Sequence, residues 1–195
     1  ILILEKDDNT ANDRSCSFWE YGKTRWDEIT FKTWGTGLFH GKDGQSKELD
    51  LQGYTYKTIR SSRFYQYGKD LIAEHPGIIW MQDDVIDIEG QEIRCSQETY
   101  TSTHTFDSRI DPIFKEEAPK YASLSQQFLG WFIETPEPVF DDQIFTMMDY
   151  RLQWKDHTSF TYILPFSPTY ALVEFTLFNN EMLSQEEYEE KLKVY

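Results

Sequence analysis

The sequence predicts an α/β fold carrying an α+β insertion: a partial Rossmann-like, nucleotide-binding region followed by an antiparallel β-sheet region. Three observations predict it. The chain opens on a wholly apolar run, Ile1-Leu2-Ile3-Leu4, closed by Glu5, the habit of a parallel strand buried on both faces. A helical stripe beginning near Ser61 leads into strand-like segments, and four more strand-like segments succeed one another between Gln127 and Phe178.

Composition narrows the function classes. The chain has 195 residues, 39% hydrophobic and 16% aromatic, enough for a substantial core and too apolar for disorder. With 34 acids against 19 bases, the formal charge of -15 repels phosphate backbones and anionic lipid over a Debye length of about 8 Å, which excludes nucleic acid as a partner. The longest apolar runs, Phe128 to Ile133 and Ala171 to Phe178, fall short of the roughly 20 residues that cross a bilayer. Cys16 and Cys95 show no CxxC spacing and read as reduced, structural thiols. His40, His75, His104 and His157 share no ligand spacing, so no metal site is expected.

The elements follow in order. Between Trp26 and Ile59, aromatic residues alternate with polar ones around the turn Gly41-Lys42-Asp43-Gly44, as in short antiparallel strands. Phe64, Tyr67, Leu71 and Ile72 form one helical face, stopped by His75-Pro76-Gly77. Ile78 to Ile88, Glu92 to Cys95 and Thr99 to Phe106 read as a meander, turning at Glu89-Gly90 and ending at Asp107. After a polar, proline-bearing stretch from Asp111 to Ser125 come Gln127 to Glu134, Phe145 to Trp154, Thr158 to Phe166 and Tyr170 to Phe178, the last two joined at Ser167-Pro168. Ser184-Gln185-Glu186-Glu187 is a capping box for a helix reaching Val194. Residues 1–110 thus form the partial nucleotide-binding region with helix and meander, and residues 111–195 the antiparallel-sheet region with its terminal helix.

Several segments, taken in order, resemble one family. Leu4-Glu5-Lys6-Asp7 with Asn12-Asp13-Arg14-Ser15-Cys16-Ser17-Phe18-Trp19-Glu20 is similar to the stretch that follows the glycine fingerprint in flavin-dependent lycopene β-cyclases, with Ser15 and Cys16 as departures. Tyr54 to Phe64 resembles the lead into that family's first long internal helix, and Thr105-Phe106-Asp107-Ser108-Arg109 its Val-Phe-Asp-Ser-Arg strand end. Gln127-Phe128-Leu129-Gly130, Met148-Asp149-Tyr150-Arg151, Tyr162 to Thr169 and Leu172-Val173-Glu174-Phe175-Thr176 resemble its Gln-x-Phe-x-Gly, Met-Asp-x-Arg, Pro-Phe-Ser and Leu-Glu-Glu-Thr elements. Phe175 replaces the second acid of the last motif, so only Glu174 inherits its role. The family's glycine fingerprint and C-terminal flavin segment lie outside the sequence, which therefore reads as an interior piece expected to be inactive and to bind FAD weakly alone.

The resemblance implies cyclisation of linear lycopene ends to β-ionone rings, with reduced FAD as a non-redox partner, NADPH as reductant, and a cytoplasmic, peripherally membrane-associated protein. Lycopene has no heteroatom, so apolar burial must supply its binding, at about 25 cal/mol per Å². A few of Trp131, Phe132, Phe145, Trp154, Phe160 and Tyr162 are expected to line a polyene tunnel, the rest being core. Protonating an alkene requires a carboxylic acid kept protonated by a dry pocket. The resemblance assigns that chemistry to Glu174 and Asp149, and cofactor contacts to Glu5 (ribose), Arg14 (phosphate) and Asp107. Read from local pattern, the same residues have plainer roles: Glu174 on a solvated strand face, Asp149 in an ion pair with Arg151, Arg14 in one with Asp13, Glu5 and Asp107 as strand-end or turn acids. Two other readings stand beside the cyclase: another flavin-dependent isoprenoid-modifying enzyme such as a monooxygenase, and a non-catalytic carrier of apolar ligands.

Overall fold

A computed structural model describes residues 1–12, 14–110 and 124–195. These divide into two compact units: Ile1–Ser17, Arg25–Phe31 and residues 58–110 in the first, and Phe18–Thr24, Lys32–Lys57 and residues 124–195 in the second. The sheets are mixed and the helices few. Of the polar, proline-bearing stretch from Asp111 to Ser125, residues 111–123 lie outside the described residues. Residues 18–24 and 32–57 go with the second unit because strand pairing draws them there.

In the first unit, β1 (Leu2–Glu5) pairs in parallel with β7 (Ile79–Gln82), Leu2 opposite Ile79 and Glu5 opposite Gln82. Helix α1 (Ser61–Ala73) lies between them in sequence. It ends where expected: Glu74 and His75 donate to the carbonyls of Asp70 and Ile72, and Pro76 disfavours helical backbone before it. Trp26 packs its ring 5.8 Å from Phe64 and 5.9 Å from Tyr67 on the helix's apolar stripe. Strand β1 is not buried on both faces as its composition suggests: Ile1, Leu2 and Ile3 are 83%, 39% and 37% exposed. A parallel strand is covered only when elements lie over both faces, and in this unit its Ile3, with Trp80, lines a groove against α1 residues Phe64 and Ile72.

The single strand expected over 78–88 is broken at Asp83. That carboxylate, 3% exposed, accepts hydrogen bonds from the Ser96 hydroxyl at 2.6 Å and the Gln97 amide at 3.1 Å. The break separates β7 from an antiparallel meander of β8 (Val85–Glu89), β9 (Glu92–Cys95) and β10 (Thr99–Thr101). Gly90, at φ 60°, makes the β8–β9 turn in a conformation that favours glycine. Strand β10 stops well short of Phe106, because the Ser102 hydroxyl and the His104 backbone close a local turn.

The second unit is built on a six-stranded sheet in the order β11-β14-β13-β12-β4-β5. Its strands are β4 (Thr36–His40), β5 (Ser46–Leu49), β11 (Gln126–Glu134), β12 (Ile144–Asp149), β13 (Thr158–Ser167) and β14 (Tyr170–Phe178). The sheet is not wholly antiparallel: β12 runs parallel to β4, which brings the early hairpin beside the late strands. Strand β12 ends at Asp149 rather than near Trp154, since the Gln153 amide ties down the carbonyls of Tyr150 and Ser159, and Lys155, at φ 47°, turns the chain. A small sheet of β2 (Ser15–Tyr21), β6 (Tyr54–Arg60) and β3 (Lys32–Trp34) supplies Trp34 and Tyr56 to the core of this unit.

The large sheet has two distinct faces. On one, Leu164 and Leu172 pack with Trp34, Tyr56 and Phe145. On the other, Val173 and Phe175 pack with Tyr188 and Leu192 of helix α2 (Gln185–Val194). The α2 pair is spaced i, i+4, which puts both rows on one stripe, and the expected capping box is formed by Ser184 and Glu187. Trp131 and Trp154 line the α2 face. Phe132 and Tyr162 pair with Leu172 and Glu174 on the opposite face, so the aromatic residues divide between the two.

Candidate functional site

Glu174 lies in the middle of β14, a central strand, with Gly130 of β11 and Tyr162 of β13 directly across from it. Cross-strand partners share a face, so Glu174 stands on the aromatic face, not in bulk solvent. It is half-buried. Its carboxylate accepts a hydrogen bond from the Thr176 hydroxyl at 3.1 Å. Burial pushes its carboxyl above the usual range, and the Thr176 hydroxyl offsets only part of that. No charged group among the described residues contributes to the shift.

Of the two residues directly across from this acid, one is the aromatic Tyr162, which joins a cluster of rings on the same face of the sheet. The Tyr162 hydroxyl donates to that of Tyr56 at 2.7 Å, and Tyr56 stacks on Phe145 at 4.7 Å with Trp19 tilted against it at 4.7 Å. Toward the far end of the sheet, Phe132 and Phe166 lie 5.9 and 5.6 Å from Tyr170. A carboxylic acid whose neutral form is favoured by burial, beside an aromatic side chain, can give up a proton to an apolar group and leave the resulting cation near π density.

Asp149 is not part of this arrangement. It pairs with Thr161, the neighbour of Tyr162 on β13, and successive strand residues point to opposite faces. The two expected catalytic acids are therefore divided by the thickness of the sheet. Asp149 is wholly buried. Arg151 grips it with its backbone amide at 3.0 Å and with Nε at 2.9 and 3.1 Å, and the Tyr195 hydroxyl donates to it at 2.5 Å. Burial raises its carboxyl pKa, but the donors from Arg151 and Tyr195 outweigh it and hold the group below the usual range. Such a carboxylate is an anchor, ionised throughout the neutral range.

The residues expected to hold a cofactor fall in the first unit. Glu5, at the carboxyl end of β1, lines an apolar groove of about 270 Å³ with Phe64, Tyr65, Lys69 and Trp80. Arg14 lines an adjoining polar groove of about 460 Å³ with Asp7, Asp8 and Thr10; Asn9 and Tyr65 belong to both. The Arg14 backbone is fixed to the start of α1, donating to Ser61 Oγ at 3.1 Å and accepting from the Ser61 amide at 3.2 Å. Asp13, offered above as its ion-pair partner, lies outside the described residues. Asp107 is not at a strand end. It sits in the segment after β10, clasped by Arg109 through Nε at 3.0 Å and Nη2 at 2.9 Å, and lines neither groove.

Tyr162, expected only as one of six aromatic candidates for the tunnel lining, stands directly across from Glu174, a position that sequence reasoning did not assign, and Gly130 flanks Glu174 on the other side. Counting back from the Ser167-Pro168 turn does not find Tyr162, because Phe166 is an extra residue in β13 that shifts the register between Pro165 and Ser167.

Comparison with known proteins agrees with this architecture. The model of the family described as lycopene cyclase protein matches residues 1–195. No curated protein sequence matches the chain. Among solved structures, a geranylgeranyl bacteriochlorophyll reductase-like protein from Thermoplasma acidophilum superposes with a TM-score of 0.63 at 13% identity, over 99% of this chain and 54% of that one, and so shares its fold. The tetracycline destructase Tet(51) aligns at a TM-score of 0.35 and 12% identity, over 84% of this chain and 44% of that one. The chain spans about half the length of these structures. The family match runs the full length of a chain whose Glu174 motif stands on a central strand of its largest sheet: this chain belongs to the lycopene cyclase protein family.

Proposed function

We propose that this chain carries the acid-bearing region of a carotenoid cyclase, with Glu174 as the general acid that starts ring closure. The supporting observation is the setting of Glu174: half-buried on an aromatic face, hydrogen-bonded to Thr176, and pushed toward its neutral form by burial. Its proton goes to the terminal double bond of lycopene. The neighbouring double bond attacks the cation, closing the six-membered ring, and loss of a ring proton restores neutrality. The product is an isomer of the substrate.

Asp149 has no part in these steps in this reading. It fixes β12 to α2 on the opposite face.

FAD is the cofactor that the family implies, and the first unit offers groups that fit its adenosine end. The Glu5 carboxylate at the end of a parallel strand suits a ribose diol, and the Arg14 side chain at the adjoining polar groove suits a diphosphate. Reduced FAD, when bound, supplies electron density next to a developing positive charge. NADPH would maintain that reduced state, and peripheral attachment to a membrane would bring a lipid-dissolved substrate within reach.

The test uses the whole FAD-loaded protein under reducing conditions, with lycopene in lipid vesicles. Conversion to a ring-bearing product of unchanged mass, lost in Glu174→Gln, is the expected result. A Glu174→Gln variant that closes rings at close to the wild-type rate overturns the assignment. Stoichiometric consumption of oxygen and NADPH would identify a monooxygenase, and polyene binding without conversion a carrier.

A further inference from the structure

Strand β11 is one edge of the six-stranded sheet, and among the described residues no strand pairs with its outer side. The direction of its backbone groups follows from the two ends of its ladder with β14. The Asn179 amide donates to the Ser125 carbonyl at 3.0 Å, and the Thr135 amide to the Thr169 carbonyl at 2.9 Å. Facing residues of an antiparallel pair alternate between hydrogen-bonded and non-hydrogen-bonded, and the register runs from Gln126 to Glu134 without a shift. The odd-numbered residues therefore turn their amides and carbonyls to β14. Gln126, Phe128, Gly130, Phe132 and Glu134 turn theirs outward.

Sheet edges are ordinarily guarded against further pairing by shortness, lysine, proline or a bulge. The opposite edge follows that pattern, since β5 has four residues and carries Lys47 and Glu48. Strand β11 has nine residues with no lysine, no proline and no bulge, and its one charge, Glu134, stands at its end. Phe128 and Phe132, whose backbone groups face outward, are 60% and 53% exposed. Such an edge is a template for another strand. The sequence of β11 selects which strand, because its outward residues mirror one another about Gly130: a ring two positions to each side, then Gln126 and Glu134 four positions away.

The geometry points to β11 as a self-pairing edge, to which a second copy of this chain adds its own β11 in antiparallel fashion, centred on Gly130, so that two sheets become one. Pairing centred there overlaps all nine residues. It sets Gly130 against the partner's Gly130, Phe128 against the partner's Phe132, and Gln126 against the partner's Glu134. Every outward amide and carbonyl from Gln126 to Glu134 then has a complement, two ring pairs flank the axis, and no like charges meet. Aromatic pairs across antiparallel strands add stabilisation, and a contact in which the same patch meets itself closes as a dimer. The twofold axis stands perpendicular to the sheet, which leaves both Glu174 residues on one face, three strand spacings or about 14 Å apart. A contact one strand wide is small, so the dimer forms in a concentration-dependent way.

The experiment measures the mass of the whole protein by sedimentation over a range of concentrations, for wild type, Phe128→Lys/Phe132→Lys and Phe128→Lys/Phe132→Glu. Both variants remove the same two exposed rings, and only the register separates them: the first sets lysine against lysine at each ring pair, the second lysine against glutamate. Wild type and Phe128→Lys/Phe132→Glu are expected to double in mass as concentration rises, and Phe128→Lys/Phe132→Lys to stay monomeric. A monomeric wild type overturns the inference. So does a Phe128→Lys/Phe132→Lys variant that dimerises as wild type does, or a Phe128→Lys/Phe132→Glu variant that does not dimerise. Phe128→Cys/Phe132→Cys gives an independent reading. Positions four apart on one extended strand are about 13 Å from each other, beyond the roughly 7 Å that a disulfide spans, whereas hydrogen-bonded positions facing across the new pair are about 5.5 Å apart. Oxidation should therefore yield a covalent dimer that reduction reverses, above the background of wild type oxidised alongside with its Cys16 and Cys95. A dimer that gives no such crosslink uses another surface and overturns the inference.

Discussion

The Tyr195 hydroxyl donates a hydrogen bond to Asp149 Oδ2 at 2.5 Å, tying the end of α2 to the end of β12. With the grip of Arg151, this makes a three-residue clamp on the face away from Glu174. Burial and the adjoining carboxylate push the Tyr195 phenol up, so it remains a donor across the neutral range.

Asp149→Asn should cost about 2 to 3 kcal/mol, the range for losing hydrogen bonds to a buried charge. The sign of its pH dependence follows from the depressed carboxyl: the clamp contributes fully above the unfolded carboxylate value of about 3.9 and is lost as pH falls through the lower folded value. Urea melts of both proteins at pH 7 and again below pH 4 should show the gap narrowing in acid. Ring-closing activity at 20 °C should survive the substitution wherever the protein is folded.

Glu174 carries the opposite sign. Its folded carboxyl is raised, so burial of the ionised form costs stability above that value and nothing below the unfolded value of about 4.3. Glu174→Gln should therefore melt higher than wild type at alkaline pH, with the difference vanishing in acid, while kcat falls by about 10²–10⁴-fold, as for loss of a general acid. In wild type, kcat should decline as pH rises through the Glu174 value. A variant that is both less active and less stable at high pH would count against the buried-acid reading.

Lys57 Nζ lies 2.6 Å from Glu20 Oε2, both side chains buried, and the Thr24 hydroxyl donates to the other carboxylate oxygen at 2.5 Å. Lys57→Met leaves a buried carboxylate without that cation, at a cost of about 3 to 5 kcal/mol by chemical denaturation. The double change Lys57→Met/Glu20→Leu should recover most of it, because the desolvation of both charges is then gone.

Glu5→Gln and Arg14→Ala should each weaken FAD binding to the whole protein roughly tenfold, about 1.4 kcal/mol, in a flavin fluorescence titration. Asp107→Asn should leave that affinity unchanged, since Asp107 is occupied by Arg109 and lines neither groove. Loss of affinity in Asp107→Asn alone would reverse the assignment of the three residues.

Much of the secondary structure is readable from local pattern. The helix stop at His75-Pro76-Gly77, the turn at Gly90 and the Ser184–Glu187 capping box each depend on residues within a few positions of one another, and each forms as its chemistry dictates. Strand ends were less readable. Thr99 to Phe106 alternates as a strand should, yet a Ser102–His104 turn that no periodicity reports cuts it short and moves Asp107 away from any strand end.

Local alternation also places Glu174 and Leu172 on one side of β14, and Val173 and Phe175 on the other, because side chains in an extended chain have a period of two. Which side meets aromatic rings and which meets α2 is settled by pairing between distant segments. Phe166 bulges out of β13 and sets Tyr162 opposite Glu174; an irregularity in β12 sets Asp149 opposite Thr161, so the two acids end on opposite faces, one shifted toward its neutral form by burial and one held toward its ionised form by Arg151 and Tyr195. A one-residue slip in register reverses every side chain beyond it, and that slip depends on contacts across more than a hundred residues, such as Trp34 Nε1 donating to the Pro165 carbonyl, which no short window of sequence contains.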